Sequence, residues 1–257
     1  SYLQKAGHEL KLLDLYAEPL PEEETLARIK AFGPSLAGFA TYPGSIDEVY
    51  SLVKKLKASA PAVHLTLGGL YASYLPEVCL SQCPADSVVV GEGEAALAEL
   101  ASALGKELPL SAVPGLCFRK DGAPARTAFR PITEDIGALP WPAYELINFD
   151  AYRLPPTRAV RHGRVSSILS ARGCNYNCSF CSHHYGYNCR VRIRTPEDVT
   201  EEMRHVVEKY GVTEFRFEDC TFTADPERVK AICALITGKK LPVVLNCDIR
   251  ADTASEE

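Results

Sequence analysis

The regular alternation of short apolar runs with amphipathic segments constrains this chain more than any other feature. Residues 36–41, 63–67 and 87–90 are apolar runs of strand length, and each leads into a turn containing glycine. Residues 22–32 carry helical spacing at Leu26, Ile29 and Phe32. Residues 46–58 place Ile46, Val49, Leu52, Val53 and Leu56 on one face with lysines opposite, and residues 94–104 form an Ala/Leu helix. Strands of this kind separated by single helices predict a doubly wound, parallel α/β sheet. Residues 8–15 read as a further short β run. Residues 116–120 and 127–131, with an Asp121-Gly122 turn between, read as a hairpin.

The alternation then breaks. Leu139-Pro-Trp-Pro142 and Leu154-Pro-Pro156 flank a stretch without periodicity, a linker signature. We therefore divide the chain into a first α/β domain over 1–130, a linker over 131–158 and a second β/α run over 159–257. In the second part, residues 165–170, 214–218 and 243–246 read as strands. Residues 196–210 read as a helix that begins on Pro196 with acidic residues in its first turns, and residues 226–236 as another. The opening residues 1–7 resemble the end of a helix closed by Gly7, and no initiator Met is present, so we read the chain as an excerpt of a longer protein.

Ten cysteines in 257 residues narrow the compartment and the chemistry. No charged segment followed by an apolar one opens the chain, and no apolar run approaches the roughly 18–20 residues needed to cross a bilayer. Reduced thiols in a cytoplasmic protein follow. The formal charge of −5 offers no nucleic-acid footprint.

Three of the cysteines lie in Gly173-Cys-Asn-Tyr-Asn-Cys-Ser-Phe-Cys181, directly after a predicted strand. Iron–sulfur clusters are held by thiolates. Three ligands, Cys174, Cys178 and Cys181, leave one iron of a [4Fe–4S] cluster open for another molecule. Residues 158–196 contain seven arginines and no Asp, Glu or Lys, a composition suited to offset an anionic cluster. A zinc site built from the same thiolates with His183, His184 or Cys189 is the competing reading. Cys79, Cys83, Cys117, Cys220, Cys233 and Cys247 read as apolar filler in the core, with Cys189 and Cys220 nearest the cluster in sequence or on a strand end.

CxxxCxxC with Phe180 before its third cysteine, on the loop after a first β/α strand, resembles the radical S-adenosylmethionine (SAM) enzymes. Arg194-Thr-Pro-Glu197, the 214–219 stretch and Cys247-Asp-Ile-Arg-Ala-Asp252 are similar to the second and third strands of cobalamin-linked members. The resemblance implies the first part of a partial β/α (TIM) barrel. There the cluster would cleave SAM reductively to a 5′-deoxyadenosyl radical, with a flavodoxin- or ferredoxin-type reducing donor and a small-molecule substrate. Phe180, Glu218, Asp219 and Arg250 would contact SAM. Glu218-Asp219-Cys220 stands where the family usually has Gly-Gly-Glu, and Arg250 has an ordinary strand-end salt bridge as its alternative.

In an open parallel sheet, ligands bind beyond the carboxyl ends of the strands. Those ends carry Thr41-Tyr-Pro-Gly44, Gly68-Gly-Leu-Tyr-Ala-Ser73 and Gly91-Glu-Gly-Glu94. Together they resemble the Rossmann/flavodoxin-like cobalamin-binding domain that precedes the barrel in many radical SAM enzymes, with its first strand upstream of residue 1. The resemblance implies cobalamin contacts at Thr41, Tyr42, Gly68, Gly69, Leu70, Tyr71, Ser73, Gly91, Glu92, Gly93 and Glu94. The corrinoid motif Asp-x-His-x-x-Gly is absent, so no histidine would ligate cobalt. The implied activity is cobalamin-dependent radical SAM catalysis, foremost methylation of an unactivated carbon. Cyclisation or rearrangement, methylthiolation, and a non-catalytic iron–sulfur sensor module are the alternatives.

Overall fold

The computed structural model describes residues 1–152, 163–181 and 190–253. These form two compact units, one of Tyr2–Leu15 and Pro19–Thr133, the other of Ser1, Tyr16–Glu18 and Glu134–Glu257.

The first unit opens with a one-turn helix α1 (Tyr2–Lys5). Helix α2 (Glu22–Phe32) has three glutamates in its first turn and ends where left-handed Gly33 returns its N–H to Ile29 and Lys30. Then come β1 (Leu36–Ala40), α3 (Ile46–Ser59), β2 (His64–Gly68), α4 (Leu70–Tyr74), α5 (Pro76–Gln82), β3 (Ser87–Val89) and α6 (Gly93–Gly105). The hairpin β4 (Leu116–Lys120) and β5 (Ala123–Arg126) completes a sheet of order β1-β2-β3-β4-β5. Strands β1, β2 and β3 run parallel, so their carboxyl ends share one edge. The predicted α/β class holds, with an antiparallel hairpin added to the parallel strands. Leu65, Leu67 and Val88 of the sheet meet Val53 and Leu56 of α3 and Cys79 and Leu80 of α5 in the core.

Two expectations for this unit are corrected. Residues 8–15 form no strand, since β1 pairs only with β2 among the described residues, and Leu12 and Leu15 are exposed. The second hairpin strand lies at Ala123–Arg126 rather than 127–131, because Asp121 and Gly122 both take positive φ and close a two-residue turn that pairs Lys120 with Ala123.

The second unit holds β6 (Val165–Ile168), β7 (Ala171–Arg172), β8 (Arg192–Ile193), α7 (Pro196–Tyr210), β9 (Glu214–Phe217), α8 (Pro226–Gly238) and β10 (Val244–Cys247). Strands β10-β9-β6 form a parallel sheet with each crossover carried by a helix. Thr195 caps α7 by accepting from the Asp198 N–H, Pro196 takes its first turn, and left-handed Gly211 ends it. Val199, Met203 and Val206 of α7 and Ile232 of α8 pack on Ile168, Phe215 and Phe217, all nearly inaccessible. Of the thiols expected in the core, Cys79, Cys83 and Cys117 are buried. Cys220 and Cys233 are exposed, so these two are not core filler, whereas Cys247 is half-buried and packs against the core of the second unit. Among the described residues, no helix is long and apolar enough to cross a membrane.

Candidate functional site

The loop bearing the three cysteines leaves the end of β6 and is anchored at its base. Asp219, just beyond β9, is buried, and its Oδ1 accepts the N–H groups of Ser170 at 2.7 Å and Ala171 at 2.9 Å. Its Oδ2 accepts from the Ser170 hydroxyl and lies 3.3 Å from Arg228 Nη2. Arg228 Nη1 donates to Ser170 Oγ at 2.7 Å. Strand β7 then pairs antiparallel with β8, so the two ends of the loop are held side by side. Gly173 turns out of that ribbon at φ 92. Cys174, Cys178 and Cys181 follow, all half-buried, with the Cys181 N–H donating to the Cys178 carbonyl at 3.0 Å. His183, His184 and Cys189, the extra ligands of the zinc reading, lie outside the described residues.

Arg250, beyond β10, reaches this loop. Its Nη1 donates to Cys178 Sγ at 3.2 Å, and its guanidinium carbon stands 3.9 Å from the Tyr176 ring centroid. Nε and Nη2 bind the two oxygens of Asp252 at 2.9 and 2.7 Å. A cavity of about 230 Å³ opens beside the loop, lined by Cys174, Tyr176, Cys220, Thr221 and Arg228 among others. Desolvation of its sulfur, then the charges of Cys174, Asp219 and Cys181, push the Cys220 thiol up to about 11.

The donor set fits an iron–sulfur cluster. Three thiols project from one loop, and a guanidinium N–H is directed at one sulfur, an arrangement that suits a charged thiolate. Among the described residues no three His, Cys, Asp or Glu side chains converge as ligands of a single ion.

The four expected SAM contacts have different surroundings. Phe180 is 90% exposed and Glu218 is half-exposed, with the Ser167 hydroxyl on its Oε1 at 3.1 Å. Asp219 is turned inward as the anchor of the loop base, so its carboxylate faces Ser170 and Arg228 rather than an open site. Nε and Nη2 of Arg250 are held by Asp252, the strand-end salt bridge that is its alternative reading. Three arginines of the arginine-rich segment have carboxylate partners. Arg164 binds Asp150, Arg190 binds Glu134, and Arg194 binds Asp198 and Glu202. Arg250, from outside that segment, donates to the cysteine loop.

In the first unit the glycine-rich loops meet at the carboxyl ends of β1, β2 and β3. Thr41 is fully buried; its hydroxyl donates to the Gly68 carbonyl at 2.8 Å and accepts the Ala72 N–H at 3.0 Å. Ser73 Oγ accepts the Gly91 N–H at 3.0 Å. These two side chains, expected to touch cobalamin, instead stitch the three loops together. Gly69 has φ 95, and a Cβ there would stand 3.0 Å from the Thr41 carbonyl oxygen, so glycine is demanded by the chain's own approach. Gly68 faces open space, and Tyr42 and Leu70 are exposed beside it. Gly93 opens α6, with Glu94 in its first turn and Gly91, Glu92 and Tyr71 half-buried nearby. Glu92 Oε2 accepts the Thr133 N–H at 2.8 Å. His64, half-buried at the start of β2, has Nε2 2.9 Å from Ser87 Oγ, at the end of the strand opposite the loop mouth. A cradle of glycine backbone flanked by exposed Tyr42 and Leu70 fits a large, flat, partly apolar ligand.

Comparison with known proteins accords with both halves. Residues 1–101 match the family described as B12 binding domain, and residues 168–251 match the Radical SAM superfamily. An uncharacterised methyltransferase of Pyrococcus horikoshii is 31% identical over 251 residues, 97% of this chain and 53% of that protein. An anaerobic magnesium-protoporphyrin IX monomethyl ester cyclase of Synechocystis sp. is 26% identical over 256 residues, 97% of this chain and 49% of that protein. The chain spans about half the length of these curated relatives. Among solved structures, the cobalamin-dependent S-adenosylmethionine radical enzyme OxsB, with aqua-cobalamin and S-adenosylmethionine bound, superposes with a TM-score of 0.82. It covers 99% of this chain and 36% of that one at 17% identity, which speaks to fold.

Proposed function

This chain belongs to the radical SAM superfamily proteins that carry a B12-binding domain, and from that premise we propose that it forms the cofactor-binding part of a cobalamin-dependent methyltransferase acting on an unactivated carbon of a small molecule. The observation that carries the reading is the three-thiol loop mounted on the end of β6, with Arg250 donating to one of its sulfurs. When bound, the cluster supplies the electron that cleaves SAM, and cobalamin supplies a transferable methyl group.

Cys174, Cys178 and Cys181 hold the cluster. Asp219 and Arg228 fix the loop base so that the thiols keep their spacing. Glu218 and Phe180, both exposed near the loop, remain the side chains for SAM. The loop mouth at Gly68, Tyr42 and Leu70 takes the corrinoid without a histidine on cobalt. Residues 1–130 serve as the cobalamin domain, 131–158 as linker and 159–257 as the start of the barrel. A flavodoxin- or ferredoxin-type donor in the cytoplasm supplies the electron.

Methyl transfer is supported by the methyltransferase relative. The cyclase relative supports a second reading, ring closure by the same cofactors. The test uses full-length protein with reductant and SAM, with and without cobalamin. The proposal expects 5′-deoxyadenosine in both cases and methylated product only with cobalamin. Product at normal levels without any corrinoid would contradict it, and cyclised, unmethylated product would select the second reading.

A further inference from the structure

We propose that Arg250 is a positioning residue for the cluster, and that its N–H to Cys178 sets the cluster's reduction potential instead of holding the SAM carboxylate. The proposal rests on the cluster reading above. Three observations carry it. Arg250 Nη1 lies 3.2 Å from Cys178 Sγ, a close approach for a donor to sulfur. The opposite edge of the guanidinium is filled by both oxygens of Asp252 at 2.9 and 2.7 Å, so it is not open to a ligand carboxylate. The guanidinium face lies 3.9 Å from the Tyr176 ring centroid, on the cysteine loop itself.

The cation is held in place as well as near. The Thr253 hydroxyl donates to the Arg250 carbonyl at 2.8 Å and meets Thr223 Oγ1 at 2.5 Å, tying the turn after β10 to the turn after β9. The Phe222 N–H donates to the Asp248 carbonyl at 3.0 Å, a second tie between the same turns. Arg250 is therefore fixed by the barrel strands while it touches a loop 72 residues earlier. A fixed donor on a ligand sulfur matters because hydrogen bonds to the sulfurs and solvent exposure set the potentials of such clusters. One-electron reduction adds negative charge to the cluster. A cationic N–H on Cys178 stabilises the reduced form more than the oxidised one, so it raises the potential and lets a modest donor reduce the cluster. The aromatic face of Tyr176 and the carboxylate of Asp252 keep the donor oriented through that change of charge.

The test is a redox titration of anaerobically reconstituted full-length protein, followed by electron paramagnetic resonance without SAM, with iron and sulfide measured on each sample. Arg250→Gln should lower the reduced-to-oxidised ratio at fixed potential on the order of tenfold, a midpoint about 59 mV more negative for a one-electron couple. Arg250→Lys keeps the charge but loses the forked anchor, and should fall between Gln and wild type. If Arg250→Gln loads no cluster, the Lys variant decides. Equal midpoints at equal iron and sulfide overturn the proposal. So does a loss of SAM affinity with no shift in the SAM-free midpoint, which returns Arg250 to the carboxylate role. Wild-type protein that binds no iron and sulfide fails the underlying cluster reading, a result distinct from an unshifted midpoint.

Discussion

The two candidate binding regions are built in opposite ways. At the strand ends of the first unit, polar side chains turn inward. Thr41 and Ser73 tie neighbouring loops together, and Gly68 is left facing open space. At the end of β6 the polar anchoring is confined to the loop base, where Asp219 and Arg228 hold Ser170 and Ala171, and the loop beyond presents side chains. The first arrangement suits a broad ligand that lies against backbone. The second suits a ligand held by covalent bonds from thiolates. Similar strand-end topology thus serves two chemistries, according to where the polar side chains point.

The largest effect is expected at the loop base. Asp219→Ala leaves the Arg228 guanidinium buried without its carboxylate, the kind of change that costs about 3–5 kcal/mol. Amide exchange at Ser170 and Ala171 should accelerate strongly, iron loading should fall, and exchange in the first unit should not change. Equal protection in the variant would show that the anchor is not what holds the loop.

In the first unit a pair of changes separates stitching from binding. Thr41→Val removes the donor to Gly68 and the acceptor for Ala72, and should cost about 1–3 kcal/mol. Gly68→Trp fills open space, so stability should hold while cobalamin binding is lost. Unchanged cobalamin affinity in Gly68→Trp would move the ligand away from this mouth. Gly69 is a poor probe, because its positive φ and contact with Thr41 make any substitution a folding defect.

The smallest expected effect concerns His64. Burial holds its pKa below the ordinary 6.5, with Asp86 opposing and Lys57 assisting. The unfolded chain binds that proton more readily, so the stability of the first unit should be full above about pH 6.5 and decline as pH falls through the depressed folded value. His64→Asn should flatten this slope in urea titrations, and an unchanged slope would remove His64 from the account.

Much of the fold could be read from local signals. Helices 22–32 and 196–210 begin and end where the residues suggest, because Pro21, Thr195, Gly33 and Gly211 act within one turn of their own position. Pairing was harder to read. Residues 8–15 alternate like a strand, but no described neighbouring strand supplies hydrogen bonds. The three cysteines were visible because their spacing is local. The role of their charged neighbour was not, since sequence proximity pointed to the arginines of 158–196, of which Arg164, Arg190 and Arg194 bind carboxylates, and Arg250 was read as a SAM contact. Arg250 lies 72 residues from Cys178, and only the parallel order β10-β9-β6 brings the two together. The inward role of Thr41, Ser73 and Asp219 likewise depends on partners that are distant in sequence.

The most direct test of the central contrast is a count of iron, sulfide and cobalt in anaerobically prepared full-length protein, wild type beside a triple Cys174→Ala, Cys178→Ala, Cys181→Ala variant and beside Gly68→Trp. The wild type should carry about four irons, matching sulfide and one cobalt. The triple variant should lose iron and sulfide and retain cobalt, and Gly68→Trp should lose cobalt and retain iron. Iron that survives in the triple variant, or zinc without sulfide in the wild type, would contradict it.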